Sequence, residues 1–486
     1  MAILERVIVR GQSSEQAGLS QKEKLRQMKD LRFSLNHQTD EACFEFIKSG
    51  GIEVLSRILL DPTLNMQVQE EAVWSITNLS FYSSQFEGEF QVAAQALLQL
   101  LRVDRIDNLA AILNLKQQCI QALGNLAIDS AVLRGTILGL DGSGMKLIVD
   151  LIMFNRAPLS EQCFWTINNF LLSDRQCSQL LIQADICKAI VSTWDRIKTK
   201  PQELMSELAW TINYLLDFDE VTVLHVFSQI PHLLKRLTSE LEFEGDRLQQ
   251  SPTNRPIIRI LGNLLTIPSL PQDDLVSELV SDDRFQTFML TVLLNKPSSG
   301  LIENLSQQGN LYKKECLWLL SNILGTTSEQ NFEIMVENKI LVDCVCSLAN
   351  SSTDYGVRKE ALVTIYNMCE NYQSKYLPRI MPRNPQEAFF TMLNHYETCD
   401  PYTLQVVVSF CTLICEKYGE EAVQSIVASN TVEMIENIKY KYHENSQLVA
   451  MVNSLLDTYI YKQGNEGFEE IEGNKQSQGQ PGSFSI

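Results

Sequence analysis

The sequence predicts an all-α protein built as a solenoid of stacked helical repeats. Three observations carry this prediction: a short motif recurring at near-constant spacing, apolar residues three and four apart within each unit, and almost no strand-like alternation. The motif reads AVWSITNLS at 72–80, IQALGNLAID at 120–129, CFWTINNFLLSD at 163–174, LAWTINYLLD at 208–217, IIRILGNLLT at 257–266, CLWLLSNILGT at 316–326 and ALVTIYNMCE at 361–370. Aligned on Asn78, Asn125, Asn169, Tyr214, Asn263, Asn322 and Asn367, the units lie 47, 44, 45, 49, 59 and 45 residues apart. All but one spacing is near the period of two- or three-helix repeats.

Each motif follows a second helical stretch, such as GGIEVLSRILLD at 50–61 or NKILVDCVCSLAN at 338–350. The 59-residue spacing is expected to hold a loop insertion, for which NKPSSGLIENLSQQGN at 295–310 has the composition. KEKLRQMKDLRFSL at 22–35 reads as the last helix of an incomplete first repeat, and residues 431–460 as two final helices. The expected organisation is a flexible segment at 1–21, a repeat domain at 22–461 of about nine to ten units, and a disordered Gly/Gln/Glu-rich tail at 462–486. A single unit cannot bury its apolar face alone, so neighbours must stack. The expected architecture is therefore a right-handed superhelix of armadillo or HEAT type.

Composition narrows the function. Over 486 residues the formal charge is −19, and 45% of residues are hydrophobic. That acidity argues against a surface for nucleic-acid phosphates and favours basic partners. No apolar run is long enough for a transmembrane helix, and no secretory signal is evident. The twelve cysteines sit mostly in apolar stretches and lack zinc-site spacing, which points to a reducing compartment and no metal. Glycines at 139, 142 and 144 follow no strand, so they read as a turn between repeats rather than a nucleotide loop. The five histidines are scattered, and His443-Glu444 lacks the second histidine of a zinc-protease helix. No catalytic constellation or cofactor site emerges.

The recurring polar anchor has company. Four residues earlier stand Trp74, Trp165, Trp210, Arg259 and Trp318 in five of the units. Residues four apart share a helix face. Repetition therefore makes two parallel ladders, one of indoles and one of amides. Asn offers both a donor and an acceptor, so a row of them can clamp an extended peptide backbone without reading its sequence. Indole walls form slots for the stem of a Lys or Arg. Acidic residues stand where the charged ends would arrive: Asp129 one turn after Asn125, Glu203 and Glu207 before Trp210, Asp217 after Tyr214, and Glu315 and Glu360 three before Trp318 and Val363. The competing reading is a purely structural asparagine ladder that holds adjacent repeats together.

These segments closely resemble the importin-alpha (karyopherin-alpha) family over roughly residues 22–460. The likeness extends to details that do not repeat: Tyr214 in place of Asn behind Trp210, Arg259 in place of Trp before Asn263, and the stretch Lys313-Lys314-Glu315-Cys316-Leu317-Trp318. The resemblance implies an adaptor for nuclear-localisation-signal cargo that shuttles between cytoplasm and nucleus. It implies a major site of Trp74, Asn78, Asn125, Asp129, Trp165, Asn169, Glu203, Glu207, Trp210, Tyr214 and Asp217, with Asp129 receiving the pivotal lysine. It also implies a minor site of Arg259, Asn263, Glu315, Trp318, Asn322, Glu360 and Asn367. The implied partners are basic cargo and the family's export factor, with no nucleic acid and no membrane.

Gln121 and Val363 stand where the family has Trp, and Ser269 where it has an acidic residue. Affinity is expected to fall at the major site and further at the minor one. The family begins with a long basic segment that binds importin-beta. Here no two basic residues adjoin within residues 1–32, so cargo binding without autoinhibition and no usual recruitment of importin-beta are expected. Alternative functions are an armadillo scaffold, a chaperone of basic proteins that does not engage importin-beta, and an exchange factor of armadillo type.

Overall fold

The computed structural model describes residues 20–103, 109–197, 201–243, 251–294, 303–429 and 431–461, with the main chain only at 303–308 and 373. The segment expected to be flexible up to residue 19, the expected tail from 462, and residues 295–302 of the expected insertion lie outside the described residues.

Among the described residues every regular element is helical. The helices come in sets of three. One set is Asp40–Lys48, Gly51–Leu60 and Met66–Leu79; the pattern returns as Ala131–Leu138, Ser143–Ile152 and Ala157–Ser173, and as Glu329–Glu337, Lys339–Ser351 and Tyr355–Glu370. The recurring sequence motif forms the third and longest helix of each set. The helix Gln21–Asn36 stands before the first set, capped by a reciprocal Ser20–Glu23 box. At the other end come Thr431–Lys441 and Ser446–Leu455, where two helices are expected.

Local chemistry sets the corners. The residue just before the second helix repeatedly adopts positive φ: Gly50 at 85°, Gly142 at 73°, Asp185 at 64° and Asn384 at 51°. A left-handed residue turns the chain tightly from the first helix into the second, and Gly, Asp and Asn tolerate it best. The glycines at 139–144 thus form a corner inside one repeat, not between two. The second correction concerns residues 303–310. Expected as loop, they are the first turns of the long helix Glu303–Thr326, because ENLSQQGNLYKKE carries no helix breaker beyond Gly309.

The chain divides into two compact units, Met1–Arg236 with Ser251–Asn263, and Leu237–Gln250 with Leu264–Ile486. In the first, third helices pack side by side, Leu109–Asp129 against Ala157–Ser173 and that helix against Gln202–Leu216. In the second, Glu303–Thr326 packs in the same way against Tyr355–Glu370. The cores are aliphatic, with Phe389 and Phe410 stacked at 3.8 Å in the second unit. All twelve cysteines are free and buried, and burial pushes the Cys346 thiol up to about 12, so they behave as small apolar residues. No helix among the described residues is long and apolar enough to cross a membrane.

Two glycines predict opposite responses. A Cβ on Gly144 would meet the Ile137 carbonyl oxygen at 1.7 Å, whereas one on Gly135 meets nothing within 4 Å. Gly144→Ala should destabilise by more than about 2 kcal/mol, because helix backbone must move. Gly135→Ala, in an exposed stretch of the helix Ala131–Leu138, should stabilise by about 0.5–1 kcal/mol. Thermal midpoints of the two variants read the difference, and a fall of equal size in both would contradict this packing.

Candidate functional site

The third helices carry a stripe with one burial signature. Trp74, Trp165, Trp210 and Trp318 are all half-buried, and so are Asn78, Asn125, Asn169, Tyr214, Asn263, Asn322 and Asn367. The residues on either side of each are core: Val73 and Ser75 beside Trp74, Phe164 and Thr166 beside Trp165, Leu317 and Leu319 beside Trp318. The amphipathic pattern therefore turns the Trp and Asn positions out of the core at the same angle in every repeat.

What sets that angle is a set of hydrogen bonds between repeats. The Thr166 hydroxyl donates to the Ile120 carbonyl at 3.0 Å, and the Asn169 amide to the Gly124 carbonyl at 3.3 Å. The second unit repeats the arrangement: Thr364 donates to the Leu317 carbonyl at 3.1 Å, and Asn367 to the Ser321 carbonyl at 3.0 Å. Gly124 lets the indole of Trp165 lie close, since a Cβ there would stand 2.5 Å from Trp165 Cζ3. Part of the competing structural reading is thus realised. One amide hydrogen of Asn169 and of Asn367 ties neighbouring repeats together, while their side-chain oxygens make no hydrogen bond to any described residue.

Asn78 and Asn125 differ. The Asn78 amide nitrogen is buried and has no hydrogen-bond partner. The Asn125 side chain makes no hydrogen bond to any described residue and is half-buried. An unmatched buried donor is costly, on the order of 1–3 kcal/mol, and rare in folded proteins.

The carboxylates sort into three groups. Asp129 and Glu203 are exposed, and neither forms an ion pair with a described residue. Asp217 is exposed but pairs with Arg175 at 2.9 Å. Glu207 accepts from the Asn168 amide at 2.8 Å, and its carboxyl is pushed upward by burial, with the Glu161 charge adding to the effect. In the second unit Glu315 is only 5% exposed, and burial raises the Glu360 carboxyl against the opposing pull of Lys359 and Lys314. Of the acidic lining expected around Trp318, Glu315 is therefore covered and Glu360 half-buried, while Lys314 is exposed there. Arg259 and Asn263 belong to the first unit, and Asn263 donates to the Asn213 side-chain oxygen at 3.4 Å.

Several residues at the stripe escape the sequence argument. One helical turn before Trp74 and Trp165 stand Glu70 and Glu161, both half-buried or nearly so. Burial raises both carboxyls, with Glu71 adding to Glu70 and Glu203 adding to Glu161. The i, i+4, i+8 series Glu70-Trp74-Asn78 and Glu161-Trp165-Asn169 is the signal that would have found them. Two arginines lie over indoles: Arg32 is 5.9 Å from the Trp74 ring centroid and pairs with Glu71 at 2.6 Å, and Arg255 is 5.7 Å from that of Trp210. Trp210 also stacks on Tyr214 at 5.5 Å. Gln121 is half-buried and Val363 is buried, so neither supplies an aromatic wall. Among the described residues, no group of three or more His, Cys, Asp or Glu side chains could hold a metal ion.

Around Trp165 the first unit's stripe sets carboxylates without a described cationic partner, Asp129, Glu161 and Glu203, near a flat aromatic face, while arginines cover the indoles of Trp74 and Trp210. Ionising Glu161 costs stability, because its carboxyl in the folded protein lies above the ordinary range. That cost is absent below the ordinary carboxylate range and grows as the pH rises through the folded value. Glu161→Gln should therefore raise the thermal midpoint at pH 7, with the gain vanishing toward pH 4. A lower midpoint at pH 7 would show that the carboxylate is satisfied where it stands.

Comparison with known proteins agrees with the helical-repeat fold. The Armadillo/beta-catenin-like repeat family model matches residues 40–81, which span the first complete three-helix set. The chain is 26% identical to Importin subunit alpha-2 of Oryza sativa subsp. japonica over 456 residues, covering 90% of this chain and 79% of that protein. It is 22% identical to Importin subunit alpha-9 of Arabidopsis thaliana over 449 residues, covering 89% and 79%. Among solved structures, the crystal structure of an engineered protein superposes with a TM-score of 0.67 at 16% identity, covering 94% of this chain and 98% of that one. The fold is an all-α armadillo-repeat solenoid, and the chain is distantly similar to importin alpha subunits.

Proposed function

We propose that the first unit binds extended lysine- and arginine-rich peptides of the nuclear-localisation-signal kind along the Trp and Asn stripe, and that the protein serves as a nuclear import adaptor shuttling between cytoplasm and nucleus. The observation that carries the reading is the set of unmet groups on one stripe. The Asn78 amide is buried and unbonded, the Asn125 amide has no described partner, and Asp129 and Glu203 are unpaired anions. A peptide main chain supplies acceptors and donors for the two amides. A lysine stem lies along an indole face while its ammonium meets a carboxylate. Asp129 receives the principal ammonium, and Glu161 with Glu203 receives a second one. The distant similarity to importin alpha subunits supports the same cargo class.

Arg32 and Arg255 bound the useful stretch. Each guanidinium already lies over an indole, Trp74 and Trp210 respectively, so a peptide cation gains least on those faces. Trp165 is the principal slot. Basic peptides bind the second unit less well, because Glu315 is covered and Lys314 is exposed near Trp318.

Calorimetric titration with a peptide carrying a Lys-Lys-X-Lys cluster should give saturable binding that weakens with salt, and an alanine-substituted control should not bind. Asp129→Lys should weaken binding at least tenfold, or about 1.4 kcal/mol, by setting like charges together. Glu161→Gln should weaken it by a smaller factor. Equal affinities for peptide and control, or an unchanged titration with Asp129→Lys, would remove the reading.

A further inference from the structure

Away from the stripe, one lysine with a covered stem and a solvent-reachable ammonium lines a cavity and has no partner among the described residues. The residue five before each Trp position meets the end of a second helix. Gln69 donates to the Leu59 carbonyl at 2.8 Å, and Ser160 to the Ile152 carbonyl at 3.4 Å. Lys116, at the same register, lies 5.8 Å from the Phe154 ring centroid. Lys313 is the counterpart before Trp318. It is 8% exposed and makes no hydrogen bond or ion pair with any described residue. Burial holds its ammonium below the ordinary lysine value.

Lys313 lines a cleft of about 510 Å³ within the second unit, together with Leu293, Leu294, Ile340, Cys344 and Leu348. That volume falls in the range of small-molecule sites. Its lip is open and mixed, with Leu294 and Ile340 about half exposed beside exposed Ser347, Ser351 and Thr353. The other charged lining residue, Asp343, is paired with Arg383. The cleft therefore presents one cation without a described partner between an apolar wall of Leu293, Leu294, Ile340 and Leu348 and a polar one that includes Asn310, Ser347 and Ser351.

We propose that this cleft binds a small carboxylate amphiphile, its carboxylate against the Lys313 ammonium and its alkyl chain along Leu294, Ile340 and Leu348. A single carboxylate supplies the charged partner that the Lys313 ammonium lacks among the described residues. The apolar wall offers an alkyl chain the burial that a hydrated polyanion would forfeit. The site is independent of the peptide stripe, since it uses neither the Trp nor the Asn positions.

The test is a titration of the whole chain with octanoate, 1-octanol and octyltrimethylammonium. Octanoate should bind with one-to-one stoichiometry and at least tenfold more tightly than the other two. Lys313→Met should remove that preference while keeping the fold, because it replaces the covered lysine stem by an apolar one of similar length. Ser347→Trp, which crowds the cleft from its exposed side, should weaken octanoate with Lys313 intact. Equal affinity for the three probes, octanoate binding unchanged by Lys313→Met, or octanoate binding unchanged by Ser347→Trp would overturn the proposal.

Discussion

Everything the stripe can do depends on side chains that reach back one repeat to bond a helix carbonyl. Thr166 and Asn169 bond Ile120 and Gly124, and Thr364 and Asn367 bond Leu317 and Ser321. Apolar packing alone leaves a helix some freedom to roll about its axis. A directional bond to a main-chain oxygen removes that freedom, and a carbonyl already used within its helix has a second lone pair to give. With the roll set, Trp165 and Val363, four before their anchors, emerge at a fixed angle. The placing of Trp165 is thus a consequence of a backbone interlock.

The same stripe holds groups that the fold leaves dissatisfied. Glu70 and Glu161 carry raised carboxyls, and the Asn78 amide has no partner. None of these helps the chain fold, and the apolar core of the first unit offsets the cost. Unmet donors and anions gathered on one stripe are the usual mark of a surface shaped for a ligand rather than for stability. Arg32 and Arg255 show the alternative within the same unit, where a guanidinium from the chain itself covers an indole.

Much of this is legible in the sequence, for physical reasons. Anchors at near-constant spacing report a repeating backbone, and residues four apart report a shared face. Helix, repeat and stripe therefore follow from one dimension of information. What stays hidden depends on the depth of a side chain and on its neighbours from other helices. Glu315 and Glu207 look equivalent, each three before its tryptophan, yet one is covered and the other half-buried. Asp217 looks available until Arg175 is placed beside it. Glu161 was legible in principle, one turn before Trp165, but only to a search carried a further four residues. The loop expected over 295–310 rests on the long spacing and the composition of that stretch, and over 303–310 helix formation overrides it.

The central claim is that the indole of Trp165 faces a ligand and does not merely fill the repeat interior. The most direct measurement is fluorescence of two single-tryptophan variants titrated with a lysine-rich peptide. One keeps only Trp165, and the other only Trp194, which is 5% exposed and part of the core. The account predicts a saturable change in Trp165 emission and none in that of Trp194. Emission that is silent in both variants, or that changes alike in both, would contradict it.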